Sequence, residues 1–173
     1  MAELEIHHEH AEHDPLSRTI GILAAVIAML LAIVSIASHR THTEAVLLKT
    51  DANDKWQYYE AQRMKFHNLE LGEDILGALP PTAGTQKNLA RYASDKTKYD
   101  DRAKKSQREA EQIEKDSTHI EEKALKFDFS EGLLEIAVVM MSMFFISKRK
   151  LFPVVGGISA AIGITLGALA FLT

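Results

Sequence analysis

The chain has 173 residues, no cysteine and a formal net charge of −4. The near-neutral balance excludes nucleic-acid binding driven by bulk charge. The missing thiols exclude a disulfide scaffold, Cys-based zinc sites and thiol catalysis. Apolar residues make up 46% and charged residues 25%, but the two kinds are segregated. Residues 19–38, 136–147 and 151–173 hold no Asp, Glu, Lys or Arg, while residues 39–126 hold 16 Lys/Arg and 16 Asp/Glu. Such blocks do not build one soluble core.

Residues 1–18 form an acidic tail with a cluster of histidines and Arg18 as its single base. Its polarity and terminal position predict disorder. Imidazoles and carboxylates suit Zn²⁺, Ni²⁺ or Cu²⁺, which makes His7, His10 and His13 weak metal candidates. No HExxH pattern accompanies them, and no cofactor is expected.

Residues 19–38 are long and apolar enough for a first membrane helix, because about 20 residues cross a hydrocarbon core of ~30 Å. Ser35, Ile36 and Ala37 offer a small-x-small cleavage pattern. The apolar run is too long and its flank too acidic for a secretory signal peptide. Gly21, Ala25, Ala28, Ala32 and Ser35 form a stripe of small residues on this helix. Small stripes let backbones approach in lipid, within one subunit or between copies.

Residues 39–128 read as an extramembrane helical hairpin. Neither residues 39–71 nor residues 85–131 contain Gly or Pro, and the helix breakers between them place the tip at about 72–84. The second arm repeats every three and four residues from Leu89 through Tyr92, Lys96, Tyr99, Ala103, Ser106 and Ala110 to Phe127. The first arm offers Ala45, Leu48, Ala52, Tyr59, Phe66 and Leu69, interrupted by Lys55 and Gln62. These patterns predict an antiparallel coiled coil reaching roughly 50–60 Å at 1.5 Å per residue. The seam is rich in Ala and Ser, so it buries little area. Exposed i,i+4 ion pairs such as Glu111–Lys115, the membrane anchors or partner arms are expected to support it.

Residues 129–147 and 151–172 predict the second and third membrane helices. Pro153 sits in the first turn of the third, where a missing N–H is tolerated. Gly156, Ala160, Gly163 and Gly167 mark its helix-packing face, with a GxxxG from Gly163 to Gly167. The short turn Lys148, Arg149, Lys150 is wholly basic and should stay cytoplasmic. That puts the N-terminus in the cytoplasm and the hairpin in the periplasm. Arg40, Lys49, Lys115, Lys123 and Lys126 oppose this orientation, but long loops count less.

Two constellations invite function. Glu131 and Glu135 share a face of the second membrane helix, and intramembrane carboxylates are functional candidates. Pairing with His39 or Arg40 at the membrane edge is the structural expectation for them, and proton or cation handling is the functional one. Trp56, Tyr58, Tyr59 and Arg63 cluster beyond the first span. They read as a packing knot or as a partner-docking surface, since aromatics and Arg dominate hot spots. No P-loop, Rossmann glycine pattern or nucleophile elbow is present, so no enzyme activity is expected.

The chain resembles the small bacterial membrane proteins catalogued as the "domain of unknown function 4337" family. The resemblance lies in the acidic, His-containing tail, in Glu44 and Ala45, and in residues 51–62 with their Trp-x-Tyr-Tyr-x-Ala core. It continues in Tyr99, in Phe127 and Asp128 leading to Glu131 and Glu135, and in the basic turn before a Gly-rich last helix. The resemblance implies a membrane location and three membrane helices, and it carries over no catalytic residue. The expected architecture is an all-α integral protein of a bacterial inner membrane. The expected function is a non-enzymatic scaffold acting through its hairpin. Its partners would be the lipid bilayer and further copies or other envelope proteins. A small channel or transport accessory using Glu131 and Glu135 is the alternative.

Overall fold

The computed structural model describes residues 15–172. The tail histidines His7, His10 and His13 lie outside the described residues. The described chain is all-helical: α1 (Pro15–Gly77), α2 (Ala83–Ser147) and α3 (Leu151–Leu172). Each of the three contains a stretch long and apolar enough to cross a membrane.

Local chemistry explains the ends. Pro15 opens α1, where its missing N–H and fixed φ suit a first helical residue. The interhelical break is confined to residues 78–82, around Pro80 and Pro81. Gly72 does not begin the break as its residue type suggested, because it serves packing. A Cβ there would lie 2.7 Å from Cε2 of Tyr92, so the glycine makes room for that ring. Thr82 and Thr85 then cap α2 reciprocally: the Thr85 N–H donates to Thr82 Oγ1 at 3.1 Å, and the Thr82 N–H donates to Thr85 Oγ1 at 2.7 Å. After α2, Lys148 adopts φ 56°, the left-handed conformation that ends many helices. Its N–H still reaches the Phe144 carbonyl at 2.8 Å.

The chain divides into two compact units. The charged unit holds residues 40–122. Its arms run antiparallel, because partner numbers fall on α2 as they rise on α1. Ser117 donates to the Ala45 carbonyl, Ser106 to the Lys55 carbonyl, and Lys96 to Glu73. All heptad positions read for residues 89–122 are buried or half-buried. Ala103, Ala110, Ser106 and Ser117 are the most enclosed of them. Lys55 and Gln62, read as interruptions, also face the seam. The Glu111–Lys115 pair does not form: Glu111 instead accepts from Gln107 Nε2 at 2.9 Å. The i,i+4 pairs that do form are Lys104–Asp100 and Lys105–Glu109.

The apolar unit holds residues 15–39 of α1, 123–147 of α2, and α3. Its core is large on α1 and α2, with Ile20, Ile27, Val34, Leu134, Met141 and Phe144. It is small on α3, where Gly156, Ala160, Gly163 and Gly167 are buried. A Cβ on Gly156 would lie 3.0 Å from the Ala137 carbonyl oxygen, and one on Gly163 would lie 3.1 Å from that of Ser130. At this separation hydroxyls reach across the helices. Ser130 donates to the Gly163 carbonyl at 2.8 Å, and Ser159 to the Leu133 carbonyl at 2.7 Å. Phe127 meets Phe171 edge-on at 4.9 Å.

The small stripe of α1 behaves differently from that of α3. Ala25, Ala28 and Ala32 are exposed, and Gly21 and Ser35 are half-buried. Packing within the subunit therefore leaves the middle of this stripe, Ala25, Ala28 and Ala32, uncovered. The reason is complementarity: against large partners on α2, α1 fills space with Ile and Val.

Gly163→Leu is expected to drive α3 off α2 and to lower stability by about 1–3 kcal/mol, the usual cost of overpacking. Ile162→Leu, on the exposed face, should change little. Thermal melting of the two variants in detergent, followed by helical circular dichroism, checks the difference.

Candidate functional site

The 56–63 segment is split by its own helix. Trp56 and Tyr59 lie one turn apart and meet edge-on at 5.6 Å. Both are half-buried. Trp56 lines a cleft of about 340 Å³ with Asn53, Glu114 and Thr118. Arg63 is also half-buried: its guanidinium lies over the Phe66 ring at 5.0 Å, and its Nη1 is 3.5 Å from Asp100 Oδ1. Tyr58 is exposed and faces a different cleft, of about 570 Å³, with Lys55, Arg102, Lys105, Ser106 and Glu109. The four residues read as one docking patch thus occupy two sides of the arm.

Cross-arm polar contacts fix this region. Lys55 Nζ donates to Glu109 Oε2 at 2.5 Å. The hydrogen bond and the opposite charge hold the Lys55 ammonium above its ordinary pKa of 10.5. The hydrogen bond from Lys55 holds the Glu109 carboxyl below its ordinary 4.5, against some opposing desolvation. Lys96 is raised in the same way, first by its hydrogen bond to Glu73. Lys49 pairs with Glu121. Gln62 is 2% exposed, and its Oε1 has no hydrogen-bond partner among the described residues. Both residues are legible in the sequence as polar interruptions of the first arm's repeat. Lys55 and Gln62 fall on seam positions of the heptad, where a polar group must find a cross-arm partner or go without one.

Glu131 is half-buried and Glu135 exposed on α2. Among the described residues neither has an ion pair or hydrogen bond. The expected level with His39 is wrong. Ser38 Oγ donates to Asp128 Oδ1 at 2.7 Å, so the end of the first apolar stretch is level with Asp128. Glu131 lies about one turn further along α2 and Glu135 about two. Leu133, between them, is level with Ser159 in the body of α3. Both carboxylates therefore lie alongside apolar helix rather than at its edge. Among the described residues, no group of three His, Asp or Glu side chains is placed to hold a metal.

The model of the family described as "Domain of unknown function (DUF4337)" matches residues 16–173. No curated protein and no solved structure gives a match.

The two pKa shifts fix the sign of a pH test. Glu109 is lowered, so its contribution is present above the ordinary carboxylate pKa and is lost as pH falls through the folded value. Lys55 is raised, so its contribution is present below the ordinary lysine pKa and is lost as pH rises through the folded value. Glu109→Gln should therefore lower the melting temperature of the full chain at neutral pH. The gap from the unaltered chain should close toward both extremes. A gap that stays constant with pH would remove the pair as its source.

Proposed function

Because the chain belongs to the DUF4337 family, whose description carries no activity, we propose its function from its surfaces: a non-enzymatic scaffold. In this reading the three apolar helices span a bacterial inner membrane. The N-terminus is cytoplasmic, and the antiparallel arms act as a periplasmic coiled coil that engages envelope partners. One observation carries the reading. Trp56 and Tyr59 stay half-exposed on an arm whose most enclosed seam positions are filled by Ala45, Ala52 and Gln62. Large aromatic surface beyond what a seam needs is the residue chemistry of binding hot spots. The short Lys-Arg-Lys turn supports the orientation.

A second reading draws on the depth of Glu131 and Glu135. Unpaired carboxylates beside apolar helix suit proton or cation handling, which fits a small channel or transport accessory.

For the scaffold, a photo-crosslinking residue at the exposed Asn53, which lines the Trp56 cleft, in intact cells should yield a discrete adduct. Combining it with Trp56→Ala and Tyr59→Ala should weaken that adduct, while Glu135→Gln should not. Ser94→Cys should react with a membrane-impermeant thiol reagent without lysis. An adduct indifferent to Trp56 and Tyr59 sinks the docking role, and labelling only after lysis reverses the orientation. For the channel, Glu135→Gln should alter ion flux in reconstituted vesicles, and no flux from the unaltered chain removes that reading.

A further inference from the structure

Among the described residues, one end of the apolar unit carries only positive charge. A Cβ on Gly21 would lie 3.7 Å from the tip of the Phe145 ring, so those two positions are level. The helices run antiparallel here, and Arg18 lies three residues before Gly21 as Lys148 lies three after Phe145. Arg18 therefore shares an edge with the turn Lys148, Arg149, Lys150. The Lys148 ammonium lies over the Phe144 ring at 5.8 Å. All four cations are exposed, and among the described residues none of their side chains has an ion pair or hydrogen bond. No described carboxylate is near enough to supply one. Residues 15–43 and 136–172 contain no Asp or Glu, and Glu135 lies 13 residues before Lys148 on α2, roughly 20 Å away. The opposite end of the unit is mixed in sign, with His39, Lys126 and Asp128. Apolar surface begins directly beside the basic turn: Ile146 is 82% exposed and Leu151 67%.

We propose that this edge binds the phosphate headgroup of an anionic phospholipid. The inference rests on the three helices spanning a membrane. It holds in either orientation and is independent of the hairpin's scaffold role. A spanning helix places the end of its apolar stretch at headgroup level, so lipid phosphates face these cations. Each Arg presents a planar fork that matches two phosphate oxygens, and each Lys adds a point charge. A Lys or Arg near an anionic lipid surface strengthens the attraction about fivefold. The apolar flank selects a lipid over other anions. Ile146 and Leu151 offer the acyl chains a surface continuous with the cations, which inorganic phosphate leaves uncovered. The chain's own acidic tail is the competing anion. Residues 7–14, which precede α1, hold three carboxylates but no large apolar side chain for that flank.

The test counts phospholipid retained by the full chain in detergent, read by native mass spectrometry as phosphatidylglycerol or phosphatidylcholine is titrated. The unaltered chain should retain phosphatidylglycerol about tenfold or more in preference to phosphatidylcholine. Arg18→Gln with Lys148→Gln, Arg149→Gln and Lys150→Gln should abolish that preference, and Arg149→Gln alone should lower it severalfold. The helical signal should be unchanged, because all four side chains are exposed. Lys87→Gln with Lys98→Gln, Arg102→Gln and Arg108→Gln removes as many exposed cations from the charged unit and should keep the preference. Inorganic phosphate in excess should leave the bound lipid in place. No preference from the unaltered chain overturns the proposal. So does an unchanged preference in the edge variants, an equal loss in the charged-unit variant, or displacement by inorganic phosphate. A preference that emerges only when the five carboxylates of residues 1–14 are replaced by amides gives the edge to the tail and overturns it too. Carbonate extraction from vesicles separates this failure from that of the spanning helices. A chain that stays in the vesicles yet shows no preference fails here alone, whereas one that washes off fails in both.

Discussion

A heptad repeat on α1 is the constraint from which most of the structure follows. In steps of seven from Ile20 to Leu76, every residue on that helix is buried or half-buried. The steps pass through Ile and Val in the apolar unit and through Lys55 and Gln62 in the charged unit. A strict spacing of 3.5 residues keeps one seam facing a partner helix. On α2 the matching repeat runs from Leu89 to Phe127 and then loses one residue. Ser130, rather than Glu131, takes the next buried position. That single skip seats a small hydroxyl against Gly163. It also turns both carboxylates away from the core.

The two units solve the same packing problem with different chemistry. In the apolar unit, small residues on α3 meet large ones on α2. The close approach brings serine hydroxyls to carbonyls that would otherwise serve only their own helix. In the charged unit the seam buries Ala and Ser, so apolar area alone contributes little. Ion pairs reach across the arms at Lys49, Lys55 and Lys96. Exposed pairs are individually weak, and the unpartnered Gln62 amide oxygen costs stability rather than adding it. Such groups set register better than they set strength, as polar seam residues do in coiled coils.

These contrasts bear on function. The enclosed parts of both units are filled with packing chemistry. What remains at the surface is specific: an aromatic pair on one side of the first arm and a cationic cleft beside Tyr58 on the other. The proposed scaffold role draws on the first of these.

The sequence by itself determined the helices, the segregation of apolar from charged blocks, the heptad seam and the family. All of these are local: they follow from composition and from periodicity along one strand of chain. Only the tertiary structure decided which small stripe packs inward. The stripes of α1 and α3 look alike as sequence, but α2 presents large residues to both helices. Only α3 answers with glycine, because α1 carries Ile and Val at its own heptad positions. The tertiary structure likewise separated Tyr58 from Trp56 and moved Glu131 and Glu135 a turn or more beyond His39. Depth and facing depend on how one helix registers against another. A hydrogen bond such as Ser38 to Asp128, between residues 90 positions apart, fixes that register, and no local pattern encodes it.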